Sequence, residues 1–305
     1  MTPPAFSSNE IYGSTLSDAA FWSPYGLAAL ERSGFDEVPL ECGFVGTYPT
    51  LLGGTLVVKL FGHFGDWGRS FSAELSANRA IAADRPIRAA PVLASGRLFP
   101  GAQADWPYLI MQRLPGLAWR DTVLPPDIRQ RLAGCLGRQL RAVHATQVTD
   151  PAALHPDWLV GQAHNATRRH RDWGSLPTRL IDQIDDFVSD YHPTATCLVH
   201  GDVTEDHIFI ERGEIIGLID WGDAMITDPF YDLGALHLGA FRGDISLLRR
   251  FTDGYGWQVD DGFARQAMQV ALMHQFDLFG QIADQVQTTR TLTELAEVLW
   301  AVHPG

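Results

Sequence analysis

Residues 198–220 read LVHGDVTEDHIFIERGEIIGLID, and this run constrains the chain more than any other. IFIE and EIIGLID flank Arg212-Gly213, a pair suited to a tight turn, so the segment predicts a β-hairpin. Strands bury apolar side chains, yet carboxylates stand at both outer ends. Asp202 follows an apolar run and His200-Gly201, and Asp220 closes the second strand. Closing the hairpin carries the two acids toward one another. A lone carboxylate at a strand end is commonly a turn cap, whereas two that converge point to a metal and proton-transfer site.

The rest of the chain has to enclose that hairpin, and its order of elements says how. Ser17 is read as the N-cap of a helix through Phe21, Leu27 and Leu30 that stops near Gly34. Gly46 to Leu60 reads as two β runs around Gly53-Gly54, with Leu56, Val58 and Leu60 alternating against Thr55, Val57 and Lys59. Ser70 is read as the cap of a helix holding Phe71, Glu74, Leu75 and Ile81 and ending before Pro86. Two further β runs, roughly Ala90 to Ser95 and Tyr108 to Gln112, lead to Leu114-Pro115-Gly116, a composition expected of a bend between lobes. Pro125, Pro126 and Asp127 start a helix in which Ile128, Leu132, Leu136, Leu140 and Val143 recur at helical spacing. A second helix runs through Leu180, Ile184, Phe187 and Tyr191, and helices resume from about Tyr231. This order predicts an α+β fold with a small β-rich lobe over residues 1–113 and a larger, mainly helical lobe over residues 114–305.

With 305 residues, 46% of them apolar and 19% charged, the chain can bury a large core, which excludes disorder, collagen and coiled coil. Subtracting 36 acidic from 23 basic residues gives a net charge of -13, which argues against a nucleic-acid partner and suits a cationic small molecule. Cys42, Cys135 and Cys197 are widely spaced and form no CxxC pair, so no disulfide framework or zinc cluster is expected. The start, MTPPAFSSNEIYGS, has neither a basic n-region nor an apolar h-region, and no later stretch approaches about 18 apolar residues. The expectation is a cytoplasmic protein with no membrane partner and no obligate protein partner. GxGxxG, GxxxxGK[ST] and GxSxG are all missing, so neither common phosphate loop nor a serine-hydrolase elbow applies.

The same residues resemble the aminoglycoside phosphotransferases, small-molecule kinases that share the two-lobed protein-kinase fold. HGDVTEDH is similar to that family's catalytic loop, with Asp202 at the catalytic position and His207 where Asn is expected. Asp220 in GLIDWGD stands at the metal-binding aspartate, and TDPFYDLGA carries over Asp228, Pro229 and Asp232. Lys59 in VVKLFG matches the nucleotide-binding lysine, and Glu74 matches its ion-pair partner. VVKLFG, YLIMQRLPGLAWR, RDWGSLPTRLID, ALHLGAFRGD and ELAEVLW look closer still to the hygromycin B kinases of the 7″-hydroxyl branch.

The resemblance implies ATP as co-substrate and Mg²⁺ as metal, with Asp202 as catalytic base and Asp220 on the metal. It implies Lys59 on the α- and β-phosphates, with Glu74 holding it. Gly46 and Thr47 would lie in a hairpin over the phosphates, and Met111, Gln112 and Leu114 beside the adenine, Gln112 and Leu114 bonding through their backbone groups. His207 leaves three readings open: a metal ligand that would favour Mn²⁺, a hydrogen-bonding brace of the Asp202 loop, or the mark of a protein that has lost catalysis. His200 is expected to brace backbone carbonyls, and His144 and His237 to be structural. For a cationic aminoglycoside acceptor the candidate contacts are Asp206, Asp223, Asp277 and Asp284, the last two equally readable as solvated helix faces. Trp221 would be a wall under a sugar ring or a core filler. The acceptor alternatives are a macrolide, choline or a sugar metabolite.

Overall fold

Alternating side chains between Thr50 and Leu60 set the first sheet, and they explain where Lys59 points. The computed structural model describes residues 1–82, 89–102, 104–148, 154, 158–193 and 195–302, apart from the side chains of Ala82, Val160 and Asp284. Two helices come first, α1 (Asn9–Thr15) and α2 (Ala19–Arg32). They are followed by β1 (Glu41–Cys42), β2 (Thr50–Gly53), β3 (Leu56–Leu60), α3 (Trp67–Ala82), β4 (Val92–Arg97) and β5 (Pro107–Gln112). The strands form one sheet in the order β1-β2-β3-β5-β4, antiparallel throughout. Gly53 pairs with Leu56, so the hairpin turns on Gly54-Thr55 with Gly54 at φ 57°.

Both faces of this sheet are covered. Val58, Leu60, Tyr108 and Ile110 pack with Trp22 and Leu30 of α2, while Phe61, Leu109 and Met111 pack with Phe71 of α3. Lys59 shares the second face and therefore meets α3. Caps differ from expectation by short shifts. The cap of α2 is Asp18, which takes the Phe21 N–H at 3.0 Å, rather than Ser17. Asp66 rather than Ser70 opens α3, accepting the Arg69 N–H at 3.2 Å on its carboxylate. Ser70 sits one turn in, where its Oγ meets the Tyr48 hydroxyl at 3.1 Å. Pro86 lies outside the described residues.

Beyond the bend, β6 (Leu117–Ala118) joins β8 (Ile208–Glu211) and β9 (Glu214–Leu218) in a three-stranded sheet, while β7 (Cys197–Val199) pairs with β10 (Met225–Thr227). The expected hairpin is β8-β9, turning on Arg212 (φ 53°) and Gly213 (φ 75°), the paired positive angles of a tight two-residue turn. Around it lie α4 (Pro126–His144), α5 (Trp158–Trp173), α6 (Thr178–Ile181), α7 (Ile184–Val188), α8 (Phe230–Ala235), α9 (Ile245–Tyr255), α10 (Phe263–Met273), α11 (Ala283–Thr288) and α12 (Leu292–Trp300). A π-helical turn, Leu236–Ala240, continues α8. The mixed sheet-and-helix lobe followed by a helical lobe is the two-lobed α+β arrangement.

One expected helix is two. Leu180, Ile184 and Phe187 are buried as their spacing requires, but α6 and α7 are separate and Tyr191 falls past the end of α7. Gln183, at the break, is held from outside: its Nε2 donates to Arg290 O at 3.2 Å and its Oε1 accepts the Leu292 N–H at 3.1 Å. Among the described residues no helix is long and apolar enough to cross a membrane.

Candidate active site

Asp202 and Asp220 reach the same imidazole. After β7 the chain turns through Gly201 at φ 87°, where a Cβ would run into the backbone carbonyl of Asp223; only glycine allows the loop this close to the turn after Asp220. The Asp202 carbonyl accepts a 2.7 Å bond from His207 Nδ1, and its carboxylate lies 3.5 Å from that nitrogen. A carbonyl only accepts, so Nδ1 carries a proton. Burial would pull the ring's pKa down, but the Asp220 and Asp202 carboxylates raise it, and Nε2 offers a lone pair to a metal only once its own proton has left. Nε2 faces the Asp220 carboxylate at 3.8 Å.

Lys59 completes the centre from the other lobe. Its buried ammonium donates to Glu74 Oε2 at 2.8 Å and to Asp220 Oδ1 at 2.7 Å. Burial alone would pull the lysine pKa down, but the Asp220 and Glu74 carboxylates raise it above the ordinary value. Burial likewise pushes up the Glu74 carboxyl, against Lys59. For Asp220 the cations win over burial, and Lys59 and His207 hold it below the usual carboxylate range. Asp202 has His207 but no lysine against it. Burial, together with the Asp223, Asp220 and Asp206 carboxylates, pushes it up to about 7 in spite of His207. A carboxyl poised near neutrality is suited to receive a proton from a hydroxyl.

The Asp202 loop is anchored from below. Asp232, fully buried on α8, accepts the N–H groups of His200 at 2.9 Å and Gly201 at 2.8 Å, and bonds His144 Nε2 at 3.0 Å. His144 Nδ1 in turn meets the Tyr255 hydroxyl at 2.8 Å. Asp228 beside it takes the Tyr191 hydroxyl at 3.1 Å and the Phe230 N–H at 2.9 Å. His200 braces the loop as expected, with Nε2 to Ile219 O at 2.9 Å and Nδ1 accepting the Asp202 N–H at 3.2 Å, and burial pulls it down to about 4. His237 bonds Leu299 O at 2.8 Å.

A cavity of about 300 Å³ opens between the lobes. Gly46, Thr47, Lys59, Glu74, Met111, Gln112, Leu114, Asp206, His207, Asp220 and Trp221 all line it, and Asp202 and Asp223 do not. The Gln112 N–H is engaged by Pro91 O at 2.9 Å, so a bond from Gln112 to a base has to use its carbonyl. Asp206 is paired with Arg120, whose guanidinium lies 5.5 Å from the Phe44 ring across the cavity mouth. Trp221 is buried, with its ring 4.3 Å from that of His200 and its Nε1 on Leu218 O at 3.2 Å. Asp223 accepts Gln275 Nε2 at 2.8 Å. Asp277 caps a turn, taking the Phe279 N–H at 3.1 Å and the Ser175 hydroxyl. The side chain of Asp284 lies outside the described residues. Arg120 and Arg69 escaped the sequence reading; His144 is structural as expected, and only the TDPFYDLGA run pointed toward its anchor on Asp232.

Among the described residues no three His, Cys, Asp or Glu side chains gather as a ready-made metal cage. Two donors remain for a divalent cation, Asp220 Oδ2 and His207 Nε2. That small set fits an ion whose other ligands are phosphate oxygens and water.

Residues 47–270 match the sequence model of the phosphotransferase enzyme family. Lysine-specific demethylase JMJ21 of Arabidopsis thaliana is 24% identical over 278 residues, covering 65% of this chain; the chain spans only 29% of that protein. Viomycin phosphotransferase of Streptomyces vinaceus is 28% identical over 208 residues, 58% of this chain and 68% of that one. Among solved structures, the GDP and kanamycin complex of APH(2″)-IIia superimposes with a TM-score of 0.67 at 21% identity, covering 87% of this chain and 90% of the other.

Proposed function

The chain belongs to the phosphotransferase enzyme family, and we propose that it transfers the γ-phosphoryl group of ATP to a hydroxyl of an aminoglycoside, hygromycin B in particular. The observation that carries the reading is the Lys59 ammonium bridging Glu74 and Asp220 on the wall of the inter-lobe cavity, with the Asp202 carboxylate just beyond. The hygromycin assignment rests on the phrases VVKLFG, YLIMQRLPGLAWR and ALHLGAFRGD. Phosphorylation adds a dianion to a cationic drug, so the expected role is antibiotic resistance. The reaction uses ATP, and the cytoplasm is the expected compartment.

In this reading residues 1–113 bind the nucleotide and residues 114–305 bring catalytic loop and acceptor to it. Lys59 grips the α- and β-phosphates and Glu74 keeps its long side chain in one rotamer. Adenine lies against Met111, Gln112 and Leu114, and Gly46 and Thr47 cover the phosphates. Asp202 accepts the proton of the acceptor hydroxyl as the new O–P bond forms and the bond from γ-phosphorus to ADP breaks. Asp220 Oδ2 and His207 Nε2 would hold Mg²⁺ or Mn²⁺, which would supply positive charge to the phosphates. The imidazole nitrogen favours Mn²⁺ relative to an amide oxygen, so His207→Asn should lower the ratio of Mn²⁺-supported to Mg²⁺-supported turnover. An unchanged ratio counts against direct ligation. ADP release with hygromycin B, kanamycin, viomycin, a macrolide and choline, with Asp202→Ala as blank, tests the whole reading. Turnover of choline alone would overturn it.

A further inference from the structure

The first turn of α3 carries a cation with two buried N–H groups that find no hydrogen-bond acceptor among the described residues. Arg69 reaches out of the small lobe and lies over the ring of Trp158 on α5, its guanidinium carbon 5.6 Å from the ring centroid. Trp158 stands edge-on to Tyr231 of α8, 5.9 Å between centroids. The Tyr231 hydroxyl accepts the backbone N–H of Gln275 at 3.2 Å, and the Gln275 side chain holds Asp223. Arg69, Trp158, Tyr231, Gln275 and Asp223 therefore form one cluster across the lobes. Arg69 opposes the negative charge of Asp223, and Asp223 adds to that felt by Asp202. Within this cluster the Nε and Nη2 atoms of Arg69 are buried without a hydrogen-bond partner among the described residues.

A buried N–H of a charged group with no acceptor is costly, and such exceptions call for an explanation. The nucleotide does not provide one, since Arg69 does not line the inter-lobe cavity. The cluster adjoins Asp202 through Asp223, and Asp202 stands outside that cavity too. An acceptor hydroxyl has to arrive on this side to reach Asp202. The cluster holds three kinds of group suited to a sugar ring: donors from Arg69, whose Nε and Nη2 are covered here and reach a ligand once the side chain turns off Trp158, the apolar Trp158 ring so uncovered, and a carboxylate from Asp223.

We propose that Arg69 and Asp223 form a two-sided acceptor subsite, in which Arg69 takes an oxygen of the acceptor and Asp223 takes a neighbouring ammonium. The inference rests on the amino-sugar kinase reading above and deepens it. The acceptor has to present oxygen functions and a cation side by side, so a polyamine without oxygens occupies only half of the subsite. Arg69 sets specificity here and takes no part in the chemical step.

Calorimetry on the full chain with hygromycin B, kanamycin, glucuronate, spermidine and ADP tests this. Arg69→Met keeps an apolar stem over Trp158 and removes the donors. It should weaken the aminoglycosides about tenfold or more while weakening neither spermidine nor ADP. Arg69→Lys, which keeps charge and a donor, should recover part of the loss, and Asp223→Asn should weaken aminoglycosides and spermidine together. Unchanged aminoglycoside affinity in Arg69→Met overturns the subsite. So does an equal loss for every ligand, ADP included, accompanied by a lowered melting temperature. If the wild type binds neither aminoglycoside, the acceptor reading fails on its own. Glucuronate then decides the subsite: binding that Arg69→Met abolishes supports it, and binding that is absent or unaffected overturns it.

Discussion

Asp202 sits among carboxylates that raise the cost of its own charge. Asp223, Asp220 and Asp206 all push its proton affinity up, and His207 only partly offsets them. Function and stability therefore pull in opposite directions at this residue. Asp202→Asn should lower kcat by about 10²–10⁴ while leaving ADP affinity unchanged, yet raise the melting temperature by relieving the repulsion. Turnover assays and thermal melts on one preparation check both parts. Glu74→Gln works differently: it removes one of two charges on Lys59 and should raise KM for ATP more than it lowers kcat. Asp202, Asp220, Lys59 and Glu74 were legible in the sequence because each lies in a short segment whose pattern marks it. Arg69 and Arg120 were not, nor was the partner of His144. Their meaning comes from Trp158, Asp206 and Asp232, partners distant along the chain, and an isolated arginine or histidine carries no local mark.

Helix α4 shows the same contrast one level up. Its period buries Leu132, Leu136, Leu140 and Val143, and Pro126 fits its first turn, so the whole element could be read in advance. What could not be read is how closely it crosses α9. A Cβ on Gly137 would run into the backbone of Phe251 and Tyr255, and Gly254 is pressed against Gly134 in the same way. Backbones this close leave no room for a methyl group. Gly137→Ala should destabilise the protein by about 1–3 kcal/mol in urea unfolding. Because α4 ends in His144, it should also loosen the Asp232 anchor and depress kcat. The α6-α7 break has a related cause: the 3.6-residue pattern runs straight through Gln183, while bonds from Arg290 and Leu292 at the far end of the chain hold that residue in a turn. Apolar spacing records which side chains are buried, not which backbone groups a distant segment will claim.

For the whole molecule, burial of neutral histidines sets the response to acid. His170, His200 and His237 are pulled down to about 4 and His274 to about 3, each mainly by burial. Unfolded, they would titrate near the ordinary 6.5, so between pH 6.5 and 4 the unfolded chain binds more protons than the folded one. Stability should be flat in this respect above pH 7 and fall with acidification by about 1.4 kcal/mol per pH unit for each histidine near pH 5. Urea titrations at pH 7.5, 6 and 5 measure it, and midpoints that do not move would contradict the buried neutral state. The two-lobed outline was legible because strands and helices segregate along the chain, whereas the closure of the lobes upon one another was not. That closure gives the Lys59 bridge a further consequence. Its ammonium already occupies one oxygen of Asp220, so the protein carries an internal counter-ion at the carboxylate proposed to hold the metal. On the proposed function, nucleotide entry would be an ion exchange, with Lys59 turning toward phosphate and Asp220 left to hold a cation. Mn²⁺ titrated alone should therefore bind weakly, and ADP should sharpen its affinity, a coupling that electron paramagnetic resonance of the free ion can follow.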